Sequence, residues 1–316
     1  MKKILCFAAL LFISQIAFAQ NDTTIKEKIL HITIRNAVIE GELVYHTNTE
    51  KLVIIIAGSG PTDRNGNSIA GVNCNAYRLM SEELIKNGIA SFRFDKRGIA
   101  KSAYKNFKEQ DLSFDDYIND AISIYNYLRD SSGFKHIYFA GHSEGSLIGM
   151  IASEKTNTSG YISIAGAGRP IDQIITEQVG NQSSVLGKKV DSLFSVLKAK
   201  NKLDTVPPYL FSLFRPGIQP YMISWLRYNP CIEIKKLNCP ILVVQGTCDV
   251  QIKVKDAEAL HEANLKSNLV VIDGMTHVLK NAEANCSDKN LATYHNPSLP
   301  LHTKFVTDII HFIQAN

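Results

Sequence analysis

The chain has 316 residues, 45% hydrophobic and 20% charged, so it can bury a full core and is neither disordered nor of low complexity. Its formal charge is only +4, and Lys2 and Lys3 supply two of those charges from a segment that reads as removable. No basic field for nucleic acid is left on the remainder.

Residues 1–19 have the three parts of a secretory signal peptide: Lys2 and Lys3, the apolar run from Ile4 to Ile13, and Ala17-Phe18-Ala19 before Gln20. Ten apolar residues rise about 15 Å as a helix, half of the ~30 Å hydrocarbon core, so the run is too short for a stable membrane span. The expectation is cleavage after Ala19 and a secreted or periplasmic protein. Of the six cysteines, Cys6 leaves with this segment. Cys74, Cys231, Cys239, Cys248 and Cys286 remain, an odd number in a compartment that permits disulfides. No C-x-x-C or H-E-x-x-H occurs and the nine histidines are scattered, so neither a metal nor a cofactor is expected.

In chain order, Ile29 to Arg35, Val38 to His46 and Lys51 to Ala57 read as strands, the third apolar throughout as a buried central strand is. A Gly-rich loop follows, then a helix from Asn75 to Asn87 and a strand from Ile89 to Asp95. Asp115 to Asp130 reads as a helix, His136 to Ala140 as a strand, Glu144 to Glu154 as a helix and Tyr161 to Ala165 as a strand. This alternation predicts an α/β fold with a mainly parallel, doubly wound sheet and the first hairpin as its antiparallel edge. Between Pro170 and Lys236 no strand is evident, although a βαβ crossover needs only a dozen or so residues. Helical spacing of Val190, Leu193, Phe194 and Leu197, followed by five prolines, predicts a helical cap. The core resumes with a strand from Ile241 to Gln245, a helix from Val254 to Asn264, a strand from Leu269 to Asp273 and a helix from Thr303 to Ile313. The expected division is therefore signal peptide 1–19, core 20–169, cap 170–236 and core 237–316.

Gly141-His142-Ser143-Glu144-Gly145 matches G-x-S-x-G, a pattern that chance alone puts in about one chain in ten of this size. Its position adds the weight, because a nucleophile elbow needs a strained strand-to-helix turn with glycine on both sides. A serine is a poor nucleophile until a base takes its proton and an acid orients that base. Asp249 and His277 stand just past two later strands, at the edge where Ser143 would lie, in the order Ser, acid, His. Asp273 is the alternative acid. The backbone N–H groups of Glu144 and of Ser59, in Gly58-Ser59-Gly60-Pro61, are the expected oxyanion donors. Asp63 and Arg64 read as a pair that holds their own loop, and Asp95 and Arg97 as structural. Of Tyr209, Phe211, Phe214, Tyr221, Trp225 and Tyr228 in the cap, one or two are expected to face substrate.

Ala57 to Gly60, Phe94-Asp95-Lys96-Arg97-Gly98, Gly141 to Gly145, Gly246 to Asp249 and Gly274 to His277 together resemble a serine hydrolase of the α/β-hydrolase superfamily. The likeness is to the serine aminopeptidase and monoglyceride-lipase-like group, with exported bacterial esterase-like members. It departs from that pattern at Ala57, where many members have His, and at Ala100, where the motif usually has its second Gly. The resemblance implies about eight strands with a helical cap after the sixth, a Ser143, Asp249, His277 triad, and Ser59 and Glu144 as oxyanion donors. The implied reaction is cleavage of a small-molecule carboxylic ester through an acyl-enzyme, without a cofactor. A peptidase or amidase on the same triad, and a non-catalytic binding module on the same fold, are the alternatives. The sequence leaves open the oligomeric state and the disulfides: Cys248 with Cys286, Cys231 with Cys239, or full reduction.

Overall fold

The computed structural model describes residues 24–282, 286 and 288–316; the expected signal peptide lies outside them. Strands β1 (Ile25–Ile34), β2 (Ala37–His46), β3 (Lys51–Ile56), β4 (Ala90–Phe94), β5 (His136–His142), β6 (Gly160–Ile164), β7 (Ile241–Gly246) and β8 (Asn268–Ile272) form one sheet in the order β1-β2-β4-β3-β5-β6-β7-β8. β1 and β2 pair antiparallel, β2 meets β4 antiparallel, and every other pairing is parallel. β1 starts four residues before the expected Ile29. Residues 25–29 are all exposed, so no apolar alternation marks them, and backbone pairing from Ile25 with His46 onward holds them in the sheet.

β3 is apolar on both faces because helices cover both. Val53 and Ile55 pack with residues of α1 (Ala76–Lys86) and α10 (Thr303–Ala315), among them Leu84 and Phe305. Leu52, Ile54 and Ile56 belong to the core of the other face, which α2 (Phe114–Ser132), α3 (Glu144–Glu154) and α9 (Val254–Ala263) join through residues such as Ile124, Ile148 and Leu260. The two-residue alternation of a strand thus divides one apolar run between two cores. Ser113 starts α2 with a capping box, its side chain accepting from Asp116 N–H while the Asp116 carboxylate accepts from Ser113 N–H.

Between β6 and β7 the chain forms α4 (Ile171–Gln182), α5 (Ser184–Lys200), α6 (Phe211–Phe214), α7 (Gln219–Trp225) and α8 (Pro230–Ile234). This is the helical insertion after the sixth strand. α7 docks on α2 through stacked Phe114 and Trp225 rings, 5.2 Å apart at 7°, and a 2.7 Å hydrogen bond from Phe114 N–H to Ser224 Oγ. Because β3, β5, β7 and β8 run parallel, the loops that follow them open at one edge of the sheet.

Candidate active site

At that edge β5 turns into α3 through Ser143, whose φ of 54° and ψ of −119° lie where few L-residues go. Both flanking glycines are sterically required: a Cβ on Gly141 would sit 2.1 Å from the Gly145 carbonyl oxygen, and one on Gly145 2.3 Å from that of Ile56. The turn thereby presents a half-buried Ser143 side chain. Ser143 N–H is occupied by the Ile164 carbonyl at 2.9 Å. Glu144 N–H belongs to the first residue of α3, where a helix leaves its amides without intrahelical partners. Ser59, the other expected donor, is exposed beside the elbow and lines the same two cavities as Ser143.

Asp249 and His277 are both buried and meet at 2.7 Å, Oδ2 to Nδ1. Asp249 Oδ1 accepts from the Gln251 and Ile252 amides at 2.7 and 3.0 Å, and Gln245 Nε2 donates to Oδ2 at 3.0 Å. Burial alone would push the carboxyl up, but the His277 charge and hydrogen bond, with the Ile252 and Gln245 donors, hold it below its ordinary value. Asp273 is exposed and accepts from the Thr247 hydroxyl at 3.0 Å. Gln245 was missed by sequence reasoning; the available sign was a lone polar residue in the wholly buried strand Ile-Leu-Val-Val-Gln-Gly.

His142, also unassigned by the sequence, is buried beside the elbow. Its Nε2 lies 2.8 Å from the His277 carbonyl oxygen, which can only accept, so Nε2 carries the proton. Burial, reinforced by the neighbouring His277, lowers its pKa to about 3 and keeps the ring neutral. Nδ1 therefore accepts from Tyr77 Oη at 2.8 Å, and that hydroxyl oxygen accepts Gly58 N–H at 3.0 Å. One chain of hydrogen bonds thus fastens the Gly58 loop, the elbow and the His277 loop together.

Two cavities flank Ser143. The larger, about 540 Å³, runs beneath the inserted helices and is lined by Ile174, Ile175, Leu213, Met222, Tyr221 and Trp225, with Ser59 and Glu144 also in its wall. The smaller, about 200 Å³, has His277, Tyr77, Val72 and Tyr294 in its wall. Of the six cap aromatics, Tyr221 and Trp225 face the larger cavity, whereas Tyr209 and Phe211 are exposed, Phe214 packs on Phe194, and Tyr228 packs on Phe114.

Asp63 and Arg64 do not pair with each other. Arg64 binds Asp95 and Glu40, at 2.5 and 2.6 Å, while Asp63 Oδ1 accepts the amides of Asn65 and Asn67 in its own turn. Arg97 is paired with buried Asp120. A disulfide joins Cys248 to Cys286, with Cα atoms 4.9 Å apart, and Cys74, Cys231 and Cys239 are free thiols. Among the described residues no helix is long and apolar enough to cross a membrane.

Residues 70–208 match the family model described as serine aminopeptidase, S33, and residues 227–302 match that of TAP-like protein. Esterase EstD of Thermotoga maritima is 26% identical over 235 residues, 73% of this chain but 55% of that protein, so the chain spans about half the length of this curated relative. An esterase of Pyrococcus furiosus superposes with a TM-score of 0.62 at 18% identity, over 93% of this chain and 92% of its own. Est1E of Butyrivibrio proteoclasticus with ferulic acid bound gives 0.59 at 18% identity, over 91% and 100%. With the eight-stranded sheet, the helical insertion and the elbow, these likenesses show that the chain has the α/β-hydrolase fold.

Proposed function

We propose that the chain is an exported serine hydrolase that cleaves carboxylic esters. The observation that carries this reading is the buried 2.7 Å contact of His277 Nδ1 with Asp249 Oδ2, in a loop that shares a cavity wall with Ser143. Ser143 Oγ attacks the ester carbonyl carbon while His277 Nε2 takes its proton, and Asp249 holds the ring and stabilises the imidazolium. The N–H groups of Ser59 and Glu144 stabilise the oxyanion. Collapse breaks the ester C–O bond, and His277 returns the proton to the departing alkoxide. A water molecule, deprotonated by His277, then attacks the acyl-enzyme, releasing the acid and restoring Ser143.

An ester is favoured over an amide by the largely apolar cavity beneath the helices and by the esterase name of the Thermotoga relative. The match to the serine aminopeptidase model keeps the amidase reading as the second. Export rests on the anatomy of residues 1–19 and is supported by the Cys248–Cys286 disulfide, which oxidising compartments favour. A fluorophosphonate probe should label Ser143, and nitrophenyl esters should be hydrolysed far faster than aminoacyl-anilides. Absence of labelling would favour a binding module, and faster anilide cleavage a peptidase. N-terminal sequencing of protein recovered from the periplasm or medium should begin at Gln20.

A further inference from the structure

The peptide that joins Gly58 to Ser59 is held at its carbonyl side. Lys96, two residues past the end of β4, donates from Nζ to the Gly58 carbonyl oxygen at 2.6 Å. That carbonyl and Ser59 N–H belong to one planar peptide unit and point in opposite directions across its C–N bond. Fixing the first therefore aims the second. A hydrogen bond from a cation to the carbonyl also polarises the unit and makes the N–H a stronger donor.

The same ammonium lies 3.3 Å from Glu144 Oε2 and 4.8 Å from the centroid of the Tyr117 ring. Tyr221, from α7, donates its hydroxyl to the other Glu144 oxygen. Lys96 and Glu144 are only 2% and 5% exposed. A carboxylate on the residue after the nucleophile would oppose negative charge developing at the oxyanion, and the ammonium offsets it. Burying such a pair costs several kcal/mol per ion before their attraction is counted, and apolar replacements of similar volume are often no less stable. Fold stability alone thus gives no reason for a lysine at this position.

We propose that Lys96 is a positioning residue for the oxyanion site: its ammonium aims and polarises the Gly58–Ser59 peptide and neutralises Glu144 beside Ser143. This rests on the reading of Ser143 as nucleophile and Ser59 N–H as oxyanion donor. The test compares wild type, Lys96→Met, and Lys96→Met combined with Glu144→Gln. The double variant removes both buried charges, leaves no ion unpaired, and keeps the Glu144 backbone N–H.

With a nitrophenyl ester, kcat should fall about 10–100-fold in the double variant, somewhat less than outright loss of an oxyanion donor. KM should stay within about threefold, and the affinity of an aliphatic trifluoromethyl ketone, whose adduct carries the oxyanion, should fall in step with kcat/KM. Wild-type kcat and ketone affinity in the folded double variant would overturn the proposal, as would a loss confined to KM. If the wild type takes no fluorophosphonate label and hydrolyses no ester, the serine hydrolase reading fails. If the wild type does both and the variants match it, only the role of Lys96 fails.

Discussion

The backbone carbonyl of His277 accepts a hydrogen bond from Nε2 of His142 at 2.8 Å, and the two rings lie 4.6 Å apart between centroids. The loop of the proposed base is thereby fixed to the residue just before the proposed nucleophile, through an imidazole that must stay neutral to accept from Tyr77. Unfolded, His142 takes up a proton below about pH 6.5; folded, it does so only near 3. Over that interval the unfolded state binds more protons, so stability falls as pH falls, at about 1.4 kcal/mol per unit for this one group. Urea titrations at pH 7 and pH 5 should show wild type losing about 2 kcal/mol more than His142→Gln. Equal losses would mean that His142 accepts a proton in the folded state.

Ser143→Ala and His277→Ala should each lower kcat for a nitrophenyl ester by several orders of magnitude, because such groups act as a unit. Asp249→Asn should be the mildest of the three. Its carboxylate accepts four hydrogen bonds, and an amide in its place can no longer stabilise the imidazolium. Asp273→Asn should leave turnover unchanged, since Asp273 faces Thr247. Full activity in Asp249→Asn would require a different acid.

The elbow was legible in the sequence because its constraint is local: two glycines and a serine within five residues meet a backbone that tolerates little else. Asp249 and His277 were legible because parallel topology returns successive strand ends to one edge. Tyr77, Gln245 and the role of Lys96 were not, for their partners are set by packing. Tyr77 and His142 are 65 residues apart and Lys96 and Glu144 are 48 apart, and no spacing rule links such pairs. Arg64 illustrates the same limit, because adjacency suggested Asp63 whereas the fold supplied Asp95, 31 residues on.

If the larger cavity takes the acyl group, narrowing it should change chain-length preference without disabling the chemistry. Ile174, on α4, lines its wall and is none of the three proposed triad residues. In Ile174→Trp, kcat/KM for long acyl nitrophenyl esters should fall at least tenfold relative to acetate, with fluorophosphonate labelling unchanged. Replacing residues 170–236 by a short linker should flatten the preference altogether while leaving Ser143 reactive. An unchanged profile in both folded variants would show that the inserted helices do not shape the acyl site.

The Cys248–Cys286 disulfide lies beside Asp249, yet the turn carrying His277 has a backbone framework of its own. Cys248 N–H donates to the Met275 carbonyl at 3.1 Å, Thr276 N–H to Lys280 at 2.9 Å, Ala282 N–H to Gly274 at 2.7 Å and His302 N–H to Leu279 at 2.8 Å. The cross-link closes a separation of 38 residues, for which the chain-entropy model gives about 4 kcal/mol, an upper value because unfolded chains retain structure. Cys286→Ser should therefore lower the urea midpoint clearly while keeping kcat within about threefold of wild type. Peptide mapping of unreduced protein comes first, and both cysteines should resist alkylation after unfolding without reductant. If both are alkylated the bridge is absent, and the turns stand on their hydrogen bonds and packing alone. If instead the folded Cys286→Ser variant loses turnover by orders of magnitude, the bridge itself holds the Asp249 and His277 loops in register.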